Sequence, residues 1–388
     1  MLNRMKYPLC LMAAALLALL AAPVAQAQPM HSVFLSVPGH SEEALTWCGP
    51  AVAQMVMDGY PGGACPQLQA DIWAEIAAHR VEASWDTDPA GLRGAMMSLC
   101  PPPGGGWSVF HKTDAATLMY SVAFYMTHNG YAVPVLMSTA GHNSFAAHQE
   151  HWVAVKGIVT DLDPTTNPSV TLQYVWLTDP GVDLGDPPLE RYVSAAVWYA
   201  ELQTVTKAGS AYAGQFVAVI EPPVISGVAK APHFEAPPRR ITREEALQLA
   251  PRLVRELNLE QVGPFRRLRG ARPMEAMLVE SKRGPYYLVS YAVEGRPAGV
   301  AILIDAAGQF LEAGAFAPKK LLTEREALDR ASGALRGVVA RGQAPKAALT
   351  SGVEPLSRYQ PVWTIATPTR TVLVDQNGRV QVEAAPHR

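Results

Sequence analysis

An α+β architecture is expected from three features of this 388-residue chain. Helical periods dominate from Cys48 to Asn129, and short runs rich in Val, Ile, Tyr and Trp, bounded by Gly, Pro, Asn and Asp, replace them afterwards. Helices first and strands later place the helices against a mostly antiparallel sheet. Farther along, a helix-then-strands pattern occurs twice, so the C-terminal half reads as two copies of one helix-and-sheet unit. A hydrophobic content of 49% with 17% charged residues suits a globular chain with ample core, and the length suits two or three domains.

The elements follow in order. Arg4 and Lys6 precede an apolar stretch from Leu9 to Ala22, and Ala25-Gln26-Ala27 has the small-x-small pattern of a signal peptidase site. Residues 1–27 are therefore expected to be a signal peptide, with the mature chain starting near Gln28 in the periplasm or outside the cell. Cys10 lies at the start of the apolar stretch instead of at a cleavage site, which argues against a lipid anchor. No later apolar run is long enough to span a bilayer. Thr46-Trp47-Cys48-Gly49-Pro50 opens a helix, because Pro is tolerated in a first turn where its missing N–H would be unpaired. After a break at Gly59 to Gly63, Gln67 to Arg80 carries Leu68, Ile72, Trp73 and Ile76 on one helical face. Pro89 starts a further helix with Leu92, Met96, Met97 and Leu99. Pro101 to Gly106 is a loop, and Thr113 or Asp114 caps a helix that stops at Asn129-Gly130. Strands are expected at Tyr131–Met137, Trp152–Val159, Val170–Leu177 and Gln215–Ile220.

Pro222 to Arg240 is rich in Pro and Ala and has no period, so a linker is set at 225–240. It separates a first domain at 28–224 from a repeat half at 241–388, itself divided into 241–320 and 321–388. Thr242-Arg243-Glu244-Glu245-Ala246-Leu247 matches Thr323-Glu324-Arg325-Glu326-Ala327-Leu328, each a capping-box opening of an amphipathic helix. Ile304-Asp305 with Gly308 corresponds to Val374-Asp375 with Gly378, and Asp-x-x-Gly is a hairpin turn in both.

Without Cys10, three cysteines remain: Cys48, Cys65 and Cys100. In an oxidising compartment one pair plus one free thiol is the simplest arrangement, and if Cys65 pairs with Cys100 then Cys48 is free. Taken alone, Cys48 divides evenly between a bland reading, a core residue or half of a disulfide, and a nucleophile at a helix N-terminus, where unpaired N–H groups and the macrodipole favour an anion. A thiolate mechanism also needs a base and a group to orient it. Histidines cluster at His142, His148 and His151, the last opening a strand. The next strand ends at Asp179-Pro180, and in a hairpin with the first it brings Asp179 to the same sheet end as His151. Asp161 and Asp163 fall in the loop at the opposite end. A zinc site from His142, His148 and His151 is a further option, although its spacing is not a strong ligand signature.

The segments Trp47-Cys48-Gly49-Pro50-Ala51, His151-Trp152-Val153-Ala154-Val155-Lys156-Gly157 and Leu177-Thr178-Asp179-Pro180 together resemble the bacterial papain-like cysteine peptidases. The nearest likeness is to those similar to double-glycine leader peptidases. The resemblance covers about residues 30 to 225. It implies Cys48 as nucleophile, His151 as general base and then acid, and Asp179 as the orienting group. The implied reaction cleaves a peptide or isopeptide bond of a peptide or protein substrate through a thioester, without a cofactor. Such peptidases usually carry a Gln several residues before the nucleophile, whose amide joins the oxyanion hole. No Gln lies between Met30 and Cys48. The segment offers His40, Ser41, Glu42, Glu43 and Thr46, of which His40 and Thr46 are the candidate substitutes. A transglutaminase-like acyltransferase and a catalytically inactive papain-fold binding protein remain alternatives.

The repeat half resembles PepSY-type modules of secreted bacterial proteins, which implies binding to or restraint of a peptidase. Charge is uneven. Residues 28–228 carry 18 Asp/Glu against 6 Lys/Arg, and residues 229–388 carry 16 against 24. Opposite signs favour docking of the basic half on the acidic half. The basic residues are dispersed and match no nucleic-acid-binding signature.

Overall fold

The computed structural model describes residues 30–61, 65–102, 106–138, 150–181, 187–202, 204–220, 227–232, 239–281, 284–316, 318, 320–335, 347–351, 359–367 and 370–384. The expected signal peptide, His142 and His148 lie outside the described residues, as does part of the expected linker. No helix among the described residues is long and apolar enough to cross a membrane.

The first strand, β1 (His31–Phe34), precedes three helices: α1 (Cys48–Asp58), α2 (Gln69–His79) and α3 (Pro89–Leu99). Strand β2 (Ser108–Lys112) leads to α4 (Ala115–Asn129), which Asp114 caps by accepting the Thr117 N–H at 2.9 Å and which Gly130 ends in a left-handed conformation. Strands β3 (Val133–Ser138), β4 (Glu150–Thr160), β5 (Ser169–Asp179) and β6 (Leu189–Ser194) follow, then the short α5 (Ala195–Glu201) and β7 (Phe216–Ile220). Three residues of the expected linker form β8 (Val228–Lys230), which runs parallel to the start of β5.

Period-two alternation fixes which face of this sheet each helix covers. Val133, Val135, Met137, Val153 and Val155 point into one cluster with Leu118, Val122 and Met126 of α4. Leu136, Trp152 and Ala154 point the other way, onto Val52, Met55 and Val56 of α1 and the inner faces of α2 and α3. Nine consecutive residues of α1, Gly49 to Met57, are buried. A helix apolar all round is a core helix, and its Ala-Val-Met composition reflects that. Cys65 and Cys100 form a disulfide that ties the segment after α1 to the end of α3.

The C-terminal half contains α6 (Arg243–Glu256), two 3₁₀ turns, and strands β9 (Arg272–Val279), β10 (Tyr286–Val293), β11 (Arg296–Asp305) and β12 (Phe310–Ala315). Then come α7 (Glu324–Leu335), β13 (Ala347–Thr350), β14 (Val362–Ala366), β15 (Arg370–Val374) and β16 (Val380–Ala384). The repetition is geometric as well as sequential. Thr242 and Thr323 each accept the N–H of the Glu three residues on, and each Glu carboxylate accepts the Thr N–H in return. Asp305 and Asp375 each accept two N–H groups of their hairpin turns, completed by Gly308 and Gly378 at positive φ. Both units then run as four-stranded antiparallel meanders.

No break in the sheet falls between the two halves. Strand β12 pairs with β6 over Glu312–Ala315, so β2-β7-β3-β4-β5-β6-β12-β11-β10-β9 is one path, while β13 to β16 form a separate sheet. His31–Arg388 forms one compact unit. The expected docking of a basic half on an acidic half is thus a shared sheet instead of a surface contact. Its centre is Arg191 on β6, whose guanidinium reaches Glu201 of α5 at 2.9 Å and Glu312 of β12 at 2.5 Å, all three fully or almost fully buried.

Candidate active site

Cys48 is the first residue of α1 and the one free cysteine among the described residues. Local packing fixes its position. Trp47, the residue before the helix, stacks on Trp73 of α2 with ring centroids 5.6 Å apart. Gly49 lies so close to Thr87 that an added Cβ would stand 2.3 Å from the threonine methyl. Trp152 donates its indole N–H to the Thr87 carbonyl at 3.1 Å, so the strand that carries His151 also holds the segment on which α1 rests. The first turn of α1 has no side-chain cap and no acidic residue. Its N–H groups and dipole therefore favour an anion at or beside Cys48. Thr46, a β-branched residue at φ 73°, occupies a left-handed conformation two residues ahead. Such backbone costs about 1–3 kcal/mol and persists only where the surroundings enforce it.

His151 is the second residue of β4, and Asp179 is the last of β5. Antiparallel pairing brings both to one end of the sheet. The His151 Nε2–H donates to Asp179 Oδ1 at 2.9 Å, and that oxygen also accepts the Gly181 N–H at 3.1 Å. With Nε2 committed to Asp179, Nδ1 is the ring nitrogen left to face the Cys48 sulfur, which lies within 4.8 Å of the His151 ring. Burial on its own lowers the affinity of His151 for its proton. Asp179 and Cys48 outweigh it and hold the imidazole well above its ordinary value. Burial likewise pushes Asp179 up, but His151, the Gly181 N–H and the charge of Arg191 leave it below the usual carboxylate range. Asp179 is 3% exposed and His151 16%, so the pair interacts in a medium poorer in water than the surface.

A third carboxyl completes the cluster. Glu42, Cys48 and His151 place a carboxyl oxygen, the sulfur and a ring nitrogen within 4.8 Å of one another. Glu42 is anchored through its backbone N–H, which donates to the Pro180 carbonyl at 3.2 Å, so the segment before α1 is tied to the end of β5. Burial raises its carboxyl to about 7; His151 and the N–H groups of Trp47 and Thr46 pull it down, and Asp179 pushes it up. These donor types can converge on an ion, and of the three His151 is hydrogen-bonded to Asp179.

No family model, curated protein or solved structure matches the chain. The site therefore stands on its own geometry. That geometry brings Cys48, His151 and Asp179 together and joins Cys65 to Cys100. It separates His40 from them. The His40 Nε2 meets Asp58 Oδ2 at 2.7 Å, at the far end of α1, about 15 Å of helix rise from Cys48. His40 is thus no oxyanion donor, because its partner is an aspartate at the wrong end of the helix. Thr46 stands two residues ahead of Cys48 in a left-handed conformation. Asp161 accepts the Thr171 N–H and Asp163 the Thr165 N–H in the β4–β5 loop, away from the cluster. Sequence reasoning named Glu42 but gave it no role; the signal was a carboxyl six residues ahead of the nucleophile where an amide was sought.

Proposed function

We propose that the chain is an exported papain-like thiol peptidase, similar to the double-glycine leader peptidases, that cleaves peptide or isopeptide bonds of a peptide or protein substrate. The observation that carries this reading is the line Cys48–His151–Asp179, with the sulfur at a helix N-terminus and within 4.8 Å of the His151 ring, and the His151–Asp179 bond at 2.9 Å. A raised His151 keeps its proton at neutral pH, in contact with the sulfur that is to attack and ready for the group that is to leave.

In the first half-reaction the Cys48 sulfur adds to the substrate carbonyl carbon and the carbonyl π pair moves onto oxygen. The backbone N–H of Cys48, at the uncapped start of α1, is the donor this reading assigns to the oxygen that becomes negative. As the tetrahedral adduct collapses, the carbon–nitrogen bond breaks and the leaving amine takes the proton from His151. His151, now neutral and still oriented by Asp179, draws a proton from water as it attacks the thioester. Carbon–sulfur cleavage then returns the sulfur and the proton to their starting places. The same steps with an amine in place of water give acyl transfer.

The C-terminal half resembles PepSY-type modules, and a modulating role fits its attachment. Strand β12 is two strands from Asp179, through β6, whose Leu189 pairs with Asp179 itself.

Peptide-library cleavage by wild type and Cys48→Ala tests the proposal. Wild type is expected to cleave and Cys48→Ala to lose at least 10³-fold. Equal cleavage by both overturns the thiol mechanism.

A further inference from the structure

The cluster contains one group that the three-residue mechanism leaves unused. Glu42 lies on the helix N-terminal side of Cys48, and its carboxyl is close to both the sulfur and the His151 ring. An oxygen forming on a carbon bonded to Cys48 Sγ, beside the Cys48 N–H, falls within reach of that carboxyl. A carboxylate there opposes the developing charge, whereas a carboxylic acid donates a hydrogen bond to it. The environment selects the acid. Burial is the largest influence on Glu42, and Asp179 at the end of β5 adds to it.

We infer that Glu42 is a catalytic residue whose carboxylic acid O–H hydrogen-bonds the oxyanion, with the Cys48 backbone N–H as second donor. This rests on the thiol acyl-transfer reading above and supplies the donor that an amide provides in peptidases of this kind. No electrons pass to Glu42. The sulfur–carbon bond forms, the carbonyl pair becomes the oxyanion, and Glu42 keeps its proton in a short bond until the pair returns and the carbon–nitrogen bond breaks.

The arrangement makes the enzyme an acid-side one. The titratable groups facing Glu42 are Cys48 on α1, His151 on β4 and Asp179 on β5, with Arg191 of β6 behind Asp179. Glu43, its chain neighbour, is exposed. With Glu42 titrating at about 7, acylation falls as pH rises through neutrality, while His151, held well above its ordinary value, keeps its proton. The substrate groups approaching this cleft meet a neutral acid below pH 7 and a negative charge above it.

The test compares two reactions of the full chain between pH 5 and 9. Iodoacetamide alkylates Cys48 without forming an oxyanion, and p-nitrophenyl acetate acylates it through one. Wild-type acylation is expected to fall tenfold or more from pH 6 to pH 8.5. Glu42→Gln, whose amide has no proton to lose, is expected to hold its rate across that range and to exceed wild type tenfold or more at pH 8.5. Glu42→Ala should lose roughly 10²–10³-fold in acylation at pH 6, with alkylation at pH 6 changed less than about threefold in both variants. Alkylation of wild type no faster than of glutathione defeats the thiol reading itself. Rapid alkylation combined with superimposable Glu42→Gln and wild-type acylation profiles, or with undiminished Glu42→Ala acylation, overturns the role of Glu42 alone. Should either variant fail to fold, carbon-13 NMR of carboxyl-labelled wild type decides. The resonance that responds to Cys48 alkylation should titrate near pH 7, and one already ionised at pH 5.5 overturns the inference.

Discussion

Under the proposed role, Glu42 couples catalysis to stability through one proton. Its carboxyl is raised from 4.5 to about 7, chiefly by burial, so the folded chain binds that proton more tightly than the unfolded chain. The contribution to stability is full below pH 4.5, shrinks as pH rises, and is gone above about 7. Gln has nothing to titrate. Wild type should therefore lose about 3 kcal/mol relative to Glu42→Gln between pH 4.5 and 7.5. Urea unfolding of both proteins at the two pH values measures this difference, and a constant difference would mean that Glu42 is solvated in the fold. Asp179 and His151 act in opposite directions on the pH scale. The lowered Asp179 stabilises the fold above its unfolded value and loses that effect as pH falls through its folded value; the raised His151 stabilises below its unfolded value and loses the effect as pH rises. Both are present in wild type and Glu42→Gln alike, so the comparison reports Glu42 together with its coupling to them.

Helix α1 is positioned by a contact that only glycine permits. At Gly49 an alanine gains helix propensity of at most ~1 kcal/mol, less in a first turn. Its Cβ would stand 2.3 Å from the Thr87 methyl, and Thr87 is held by Trp152, so the helix must move. Overpacking of this kind costs roughly 1–3 kcal/mol, and the clash wins. Gly49→Ala should lower the urea midpoint by the equivalent of about 1–2 kcal/mol and slow Cys48 alkylation, because the residue that shifts is next to the nucleophile. Unchanged alkylation would show that α1 does not need this contact to aim the sulfur. Much of this region was legible beforehand. The Pro-containing helix start, the Asp114 and Thr242 caps, the Asp-x-x-Gly turns and the strands around His151 and Asp179 are local signals, and local signals survive folding. Seven helices and strands were not foreseen: β1, β2, β6, α5, β8, β9 and β13. They are three to eight residues long, too short for a period to show clearly, and each is completed by a neighbouring element. Glu42 was missed for a related reason, since its role comes from burial between α1 and β5 and from no motif of its own.

The two halves meet in a way that composition misrepresents. A net charge of about −12 on residues 28–228 against about +8 on the remainder invites an account in which surface charges dock one half on the other. At the junction, however, β12 is hydrogen-bonded to β6, and Tyr174, Trp176 and Tyr192 share an apolar cluster with Phe265 and Phe310. The charged groups that do cross it, Arg191 with Glu201 and Glu312, are buried, where salt screens them little. Surface attraction would weaken over the ~3 Å screening length of 1 M salt, but this joint should not. Calorimetry of the intact chain in 0.05 M and 1 M NaCl is expected to show β4 to β12 unfolding in one transition whose midpoint moves by only a few degrees. Two transitions that separate as salt rises would restore the docking account. Glu312→Ala probes the same joint from inside. It leaves the Arg191 guanidinium with one carboxylate in a dry site, a change that costs about 3–5 kcal/mol when a buried pair loses one partner. Because Arg191 also draws Asp179 down, that substitution should reach the active site, slowing Cys48 acylation from a position two strands away.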